Sequence, residues 1–251
     1  MNNKKLTNKE VNEISHFNKL ANKYDSNYNY NDEFTKYKID KKIKEFTNFV
    51  NQNINDKKFK IVELGCGTGE YTKLMAENFP NATIEALDIS DGILQIAKKK
   101  CKKYKNIKFI STSAYKLPMK KDSTHVVCGF YFLHHVDVKK VGNEVSRILK
   151  KTGVGFFYEP NILNPFVYLI KSNRTLKSIV GDSPDEWAIN PITVAKYFNK
   201  FKVETSTSEF VLPLANISFS LKRKLDEITS VFTKIPILNF FGGSVAIKLY
   251  K

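Results

Sequence analysis

The sequence has little cysteine, and what it has excludes two classes of site. The three cysteines among 251 residues stand at positions 66, 101 and 128. They are odd in number, widely separated, and have neither a CxxC pair nor a nearby pair of histidines. Such spacing supports neither a disulfide framework nor a zinc site. We therefore predict no metal site and a reducing compartment.

Long uninterrupted apolar runs are also missing. The two most apolar stretches, residues 154–170 and 231–247, contain charged residues, prolines or glycines, so neither is expected to cross a membrane. Residues 1–10 are polar, which is not the pattern of a signal or transit peptide. With the cysteine usage, this predicts a cytoplasmic protein.

Arginine is scarce although the chain is strongly basic. The formal net charge is +16, but only Arg147, Arg174 and Arg223 are arginine. Nucleic-acid surfaces usually use the planar arginine fork as well as lysine. The densest lysine run, residues 98–108, lies at the end of a predicted helix, where cations complement the helix dipole. A solvated surface is favoured over a nucleic-acid partner, which stays open as an alternative.

The apolar pattern predicts an α/β fold. Apolar runs alternate with amphipathic helical segments, which implies parallel strands joined by crossover helices in a doubly wound sheet. Strands are predicted over 59–64, 83–88, 107–111, 125–130, 153–159, 202–210 and 244–249, and helices over 8–24, 33–50, 70–79, 92–103, 138–149, 192–199 and 214–232.

A glycine-rich turn follows the first strand of this pattern, at the ligand crevice of an open α/β sheet. Without a Cβ at the glycines, a ligand can lie directly against the main chain. Asp88 ends the second strand, about twenty residues further on, as expected of an acid that accepts ribose hydroxyls, and Ile89 could pack on an adenine. The turn consists of Glu63, Leu64, Gly65, Cys66, Gly67, Thr68 and Gly69.

The charge beside the turn indicates the ligand. The spacing GxGxG differs from the GxGxxG of dinucleotide binders, and Glu63 would lie unfavourably near a pyrophosphate. A carboxylate instead suits a ligand that carries an ammonium group and a sulfonium cation. S-adenosylmethionine is therefore favoured as cofactor over NAD, which a dehydrogenase of the same fold class would bind.

These motifs resemble those of the class I S-adenosylmethionine-dependent methyltransferases, especially the branch with the ubiquinone and menaquinone methylating enzymes and many small-molecule methyltransferases. The resemblance implies a Rossmann-like, seven-stranded, mostly parallel sheet with an antiparallel last strand, and S-adenosylhomocysteine as product. It covers nearly the whole chain and is carried by VELGCGTGEYT at 62–72, ALDISDGIL at 86–94, STSAYKLPM at 111–119, GFYFLHHV at 129–136 and GGSVAIKLYK at 242–251.

The resemblance also implies which residues bind the cofactor. Family members commonly have Asp where this chain has Ser113, a weaker acceptor for the adenine amino group. Tyr24, in FNKLANKYDSNY at 17–28, would fold over the cofactor. The methionine part would contact Glu63, Gly65, Cys66, Gly67 and Gly69, and Thr68 also belongs to the cofactor site. The ribose would contact Asp88, the adenine would contact Ile89, Ser113 and Ala114, and the sulfonium side would be lined by Gly129, Phe130 and His134.

We interpret residues 1–251 as a single class I methyltransferase domain. Apolar residues of the insert, including Phe166 to Ile170 and Trp187, are expected to roof the site. The parts are an N-terminal helical cap over 1–56, a cofactor-binding core over 57–160, a helical lid insert over 161–190 and a C-terminal completion of the sheet over 191–251.

Methyl transfer from a sulfonium is an in-line displacement in which proximity supplies much of the acceleration. For an acceptor that must lose a proton, the candidate catalytic bases are His134, His135 and Glu159, and the choice falls on His135 first and then Glu159. His134 and His135 also have a structural interpretation, as side chains that bond the backbone near the cofactor.

The apolar insert favours a small-molecule or lipid-like methyl acceptor. An RNA or protein methyltransferase, and a non-catalytic S-adenosylmethionine-binding protein, stay open as alternatives. Lysines alternate with apolar residues over 214–241, a pattern compatible with weak contact to an anionic membrane surface. Packing of this helix on the protein's own core is the favoured alternative.

Overall fold

The computed structural model describes residues 6–183, 186–210, 217–235 and 237–251. The beginning of the helical segment predicted from residue 214, and Pro184 in the insert, lie outside the described residues.

A seven-stranded sheet forms the centre, with strand order β3-β2-β1-β4-β5-β7-β6. Strands β1 to β5 pair in parallel, and β7 is antiparallel to both of its neighbours. This confirms the predicted fold class. The strands are β1 Lys60–Leu64, β2 Thr83–Asp88, β3 Ile107–Ser111, β4 Thr124–Phe130, β5 Leu149–Pro160, β6 Lys202–Ser208 and β7 Ser244–Tyr250.

Helices cover both faces of the sheet. Several of them begin at side chains that accept a backbone N–H in the first turn, among them Thr7, Asp32, Ser90 and Asp137, which satisfies donors that the helix itself leaves free. The α-helices are α1 Asn8–Leu20, α2 Tyr24–Asn27, α3 Glu33–Asn53, α4 Glu70–Asn78, α5 Asp91–Lys100, α6 Val138–Ile148, α7 Pro165–Ser172, α8 Arg174–Val180 and α9 Phe219–Thr229.

The core lies on either side of the sheet. On one face Phe46 and Phe49 of α3 pack against Phe156 of β5, with ring centroids 5.4 and 5.6 Å apart. On the other face Val141 and Val145 of α6 are fully buried in a second apolar cluster. Burial on both faces explains why the parallel strands are continuous apolar runs in sequence.

The strand order reverses between β1 and β4, because the chain runs from β1 outward to β3 and then returns to β4 on the other side. In open α/β sheets, ligands bind at the carboxyl ends of the strands at such a reversal. The glycine turn after β1 is therefore at the expected place.

Two expectations differ from the structure. The predicted helix over 192–199 is a short 3-10 helix, Val194–Phe198. In the insert, Phe166, Tyr168 and Trp187 are turned outward, each about half exposed, instead of roofing the site. Among the described residues, no helix has the length and apolar character needed to cross a membrane.

Candidate active site

A cavity opens at the carboxyl ends of β1, β2 and β4, as the strand reversal predicts. The N-terminal cap and the segment after β4 enclose it. Its walls include Glu10, Glu13, Phe17, Tyr24, Gly65, Gly67, Asp88, Ile89, Thr112, Ala114, Tyr115, Phe130, Tyr131, Phe132, His135 and Val136.

The glycine turn supplies bare backbone to this cavity. Gly65 and Gly67 have φ values of +67° and +53°, in the left-handed region that side chains with a Cβ rarely adopt. A Cβ on Gly67 would lie 3.4 Å from the Tyr24 hydroxyl. The turn therefore holds Tyr24, the predicted cover of the cofactor, close to the main chain.

Asp88 is at the junction of the turn and β2. Its Oδ2 accepts the Gly67 N–H at 3.0 Å and its Oδ1 accepts the Ser90 N–H at 3.0 Å. Burial raises its pKa above the ordinary value although these bonds oppose the change. Ile89 and Ala114 add apolar surface beside it, so the structure places the predicted ribose and adenine residues together.

Glu63 does not lie on the cavity walls. Its buried carboxyl accepts the Thr72 hydroxyl at 2.5 Å, below the glycine turn, and burial raises its pKa to about 8. This position could not be predicted from the sequence, because a strand covered on both faces does not alternate in polarity. Contact between Glu63 and the cofactor stays a prediction.

Other members of the turn bind the N-terminal cap. The Thr68 hydroxyl donates to Asp25 at 2.6 Å, and Lys100 forms ion pairs with Asp25 at 2.7 Å and with Glu70 at 2.9 Å. Thr68 therefore anchors the segment that carries Tyr24.

A second, larger cavity of about 660 Å³ adjoins the first across the glycine turn. Tyrosines form much of its wall, and the two cavities share Tyr24, Gly65, Gly67, Phe130, Tyr131 and His135. Cys66, Thr68 and His134 also line this second cavity. An acceptor bound here would reach the first cavity over bare backbone.

His134 and Glu159 form a buried pair behind the cavity. His134 Nδ1 lies 2.6 Å from Glu159 Oε2, and His134 Nε2 lies 3.2 Å from Glu186 Oε1. Burial alone would lower the pKa of His134, but the two carboxylates raise it to about 9.

Glu159 also accepts the backbone N–H groups of Phe132 at 2.9 Å and Leu133 at 2.7 Å. It is fully buried and does not line either cavity. The structure thus places this predicted base where it holds the segment after β4.

His135, the other predicted base, lines the cavity. Its Nδ1 lies 3.1 Å from Glu13 Oε2, and Glu13 also accepts the Ser183 hydroxyl at 2.8 Å. Burial raises the pKa of Glu13, but the interactions with His135 and Ser183 lower it by more than burial raises it. The net shift is therefore downward.

His134, His135 and Glu186 also approach one another closely enough to hold a metal, with ligand atoms within 4.8 Å. Lys171, however, binds the Glu186 carboxylate. Carboxylates of Glu159 and Glu186 lie against the two ring nitrogens of His134. This chemistry fits an ion-pair network better than a metal site.

Ser113 faces the N-terminal helix. Its hydroxyl donates to Glu10 Oε1 and accepts the Tyr115 N–H at 3.1 Å. Sequence reasoning missed Glu10, Glu13 and Glu186. The only signal was Thr7-x-x-Glu10, which marks the beginning of a helix and gives no information about the cavity.

The comparisons with known proteins agree with this site. Residues 61–153 match a family model described as a methyltransferase domain. Demethylmenaquinone methyltransferase from Chlorobaculum tepidum is 35% identical over 127 residues, which cover 49% of this chain and 51% of that protein. The chain therefore spans about half the length of the first curated relatives it matches.

A longer match is a ubiquinone/menaquinone biosynthesis C-methyltransferase from Campylobacter jejuni, 26% identical over 66% of this chain and 72% of that protein. A solved S-adenosylmethionine-dependent methyltransferase from Thermotoga maritima shares the fold, with a TM-score of 0.63, 16% identity and coverage of 95% of this chain and 99% of that one. Residues 61–153 are therefore similar to a methyltransferase domain, and the fold is that of a solved S-adenosylmethionine-dependent methyltransferase, in agreement with the motifs.

Proposed function

We propose that the protein is an S-adenosylmethionine-dependent methyltransferase that acts on a small-molecule or lipid-like acceptor. The observation that carries the proposal is the pairing of Asp88 with the positive-φ backbone of Gly67 at the mouth of the cavity. Bound S-adenosylmethionine supplies an electrophilic methyl group on a positively charged sulfur. The matched methyltransferase domain and the quinone-methylating relatives support both parts of the proposal.

The chain's own residues would position the reactants. Asp88 accepts ribose hydroxyls, while Gly65 and Gly67 let the cofactor lie against main-chain atoms. Tyr24 and the aromatic wall of the second cavity exclude water and orient the acceptor, which supports in-line displacement by proximity.

His135 is the proposed base for an acceptor that must lose a proton. Glu13 Oε2 lies 3.1 Å from His135 Nδ1, and its negative charge would stabilise the imidazole once it has taken the proton of the acceptor. Glu159 is already committed to backbone N–H groups and to His134, so we propose for it a structural role.

Calorimetry tests the cofactor. We expect S-adenosylhomocysteine to bind, and Asp88→Asn to weaken its binding about 10- to 100-fold, since a hydrogen bond to a charged group contributes about 1.5–3 kcal/mol. Glu85→Gln, on the same strand but paired with Lys60 at 3.2 Å, is the matched control and should bind normally. Absence of binding to the unaltered protein would contradict the proposal.

Labelled S-adenosylmethionine incubated with a cell extract then identifies the acceptor by mass spectrometry. Incorporation into a small molecule or lipid supports the proposed acceptor class, and incorporation only into RNA or protein contradicts it. The RNA alternative depends on net charge alone.

Weak contact with an anionic membrane surface is a further part of the proposal. Leu221, Ile228 and Val231, in α9 and the turn after it, are 47%, 66% and 49% exposed, and Lys222 and Lys224 lie among them. Sedimentation with phosphatidylglycerol vesicles, and not with phosphatidylcholine vesicles, is the expected result. Equal sedimentation with both would contradict an electrostatic contact. A cytoplasmic location stays a prediction from the sequence.

A further inference from the structure

The adenine end of the cavity has an acidic residue that comes from the N-terminal helix. Thr112 N–H donates to the Asp88 carbonyl at 3.0 Å, so the loop after β3 lies directly beside the predicted ribose acceptor. Ile89, Ala114 and Glu10 line the same cavity, and Glu10 is bound by Ser113, the residue that follows Thr112. A nucleoside held by its ribose at Asp88 would therefore direct its base toward Glu10.

Ser113 is not itself available to such a base. Its hydroxyl proton is donated to Glu10 Oε1, and its oxygen accepts the Tyr115 N–H at 3.1 Å. These two bonds hold the Ser113 side chain in the loop after β3. Ser113 is consequently a positioning residue for the Glu10 carboxylate.

The Glu10 carboxylate has one acceptor site left. Its Oε2 accepts the Thr7 N–H at 2.8 Å and the Thr7 hydroxyl at 2.9 Å, and its Oε1 accepts the Ser113 hydroxyl. An ionised carboxylate offers about four acceptor sites in total. Glu10 is only 9% exposed and lines the cavity, so the remaining site on Oε1 can be directed at a ligand.

Glu10 also carries the charge that this role needs. Burial raises its pKa, but hydrogen bonds from Ser113 and Thr7 outweigh burial and leave the pKa below the ordinary value. An ionised carboxylate accepts a hydrogen bond more strongly than a serine hydroxyl does.

We propose that Glu10, positioned by Ser113, accepts a hydrogen bond from the exocyclic amino group of the cofactor's adenine and so selects adenine over hypoxanthine. This inference rests on the proposed function, because it requires a nucleoside in the cavity. The loop after β3 has no acidic residue at position 113 to accept this hydrogen bond. We assign the acceptor instead to helix α1, where Glu10 lies 103 residues from Ser113 in sequence.

The test is a ratio of binding constants, measured by calorimetry. The ligands are S-adenosylhomocysteine and its hypoxanthine counterpart, in which an oxygen replaces the amino group. The unaltered protein should prefer the adenine compound about tenfold or more, because the hypoxanthine compound cannot donate a hydrogen bond to the charged carboxylate at this position. Glu10→Gln should abolish the preference, and Ser113→Ala should reduce it.

Two further variants separate recognition from folding. Thr7→Ala removes the hydroxyl bond to Oε2 and the helix cap on the Glu10 N–H. It leaves the backbone bond from Thr7 and the bond from Ser113, so it should lower the melting temperature without changing the preference. Adding Ser113→Asp to Glu10→Gln returns a carboxylate to the same place and should restore the preference.

The outcomes are distinguishable. If the unaltered protein binds neither compound, the proposed function fails. If it binds both with equal affinity, or if Glu10→Gln keeps the full preference while circular dichroism shows a folded protein, the role of Glu10 is overturned and the proposed function stands.

Discussion

The cavity has two walls of different origin. The backbone wall is the glycine turn with Asp88 and Ile89, and its residues are close together in sequence. The side-chain wall joins helix α1 to the loop after β3, the segment after β4 and the insert, through contacts such as Glu10 to Ser113, 103 residues apart, and Glu13 to Ser183, 170 residues apart. We therefore expect the backbone wall to be sensitive to an added Cβ, and the side-chain wall to be sensitive to the loss of a charge.

The largest effect on stability is expected at the buried ion-pair network of His134, Glu159 and Glu186. His134→Gln removes a cation that lies 2.6 Å from Glu159 and 3.2 Å from Glu186. Breaking one partner of a buried ion pair costs about 3–5 kcal/mol. We expect a loss of this size in the free energy of unfolding in urea at pH 7. His16→Gln, at a partly buried ring near the Gly181 carbonyl, is the control and should cost less than about 1 kcal/mol.

A pH titration sharpens the same comparison. The pKa of His134 is raised from 6.5 to about 9 in the folded protein, so its contribution is complete below the unfolded pKa and is lost as pH rises through 9. By linkage, the contribution of His134 to the unfolding free energy should fall by up to about 3 kcal/mol between pH 6.5 and 9.5. Glu63, also raised, to about 8, contributes to the lower part of this window.

The difference between the unaltered protein and His134→Gln isolates the histidine, because Glu63 is common to both. That difference should shrink as pH rises to 9.5. A difference that does not depend on pH would show that His134 is uncharged in the folded state.

The smallest effect tests the backbone wall. Gly67→Ala and Gly181→Ala both place a Cβ at positive φ, which costs about 1–2 kcal/mol. Only Gly67 faces the Tyr24 hydroxyl, and nothing lies within 4 Å of a Cβ on Gly181. Both variants should lose similar stability, while only Gly67→Ala should weaken S-adenosylhomocysteine binding, by about tenfold. Equal binding of S-adenosylhomocysteine by both variants would contradict a contact between the glycine turn and the ligand.

Much of the fold could be predicted from the sequence because its signals are local. The strands β2 and β3 have the predicted bounds, 83–88 and 107–111, since strands covered on both faces are continuous apolar runs. The glycine turn and Asp88 were recognisable for a similar reason, because a strand, a turn and a helix fix their relative positions.

The rest of the site depends on contacts between distant segments. Nothing near Glu10 or Glu186 in the sequence indicates that each reaches a residue on another element, and the position of Glu63 under the turn depends on how β1 is covered. The aromatic residues of the insert were expected to face inward on composition alone, but the buried side chains there include Lys171 and Glu186, which bind each other.

Helix α1, which begins at a capping box, determines how much of the chain is needed to form the complete cavity. The recognisable methyltransferase domain covers residues 61–153, yet Glu10, Glu13, Phe17 and Tyr24 line the same cavity. A fragment that began at residue 57 would keep all seven strands and the entire glycine motif. It would also leave the cavity open on one side, so expression trials and sequence searches that begin at the motif omit part of the cavity wall.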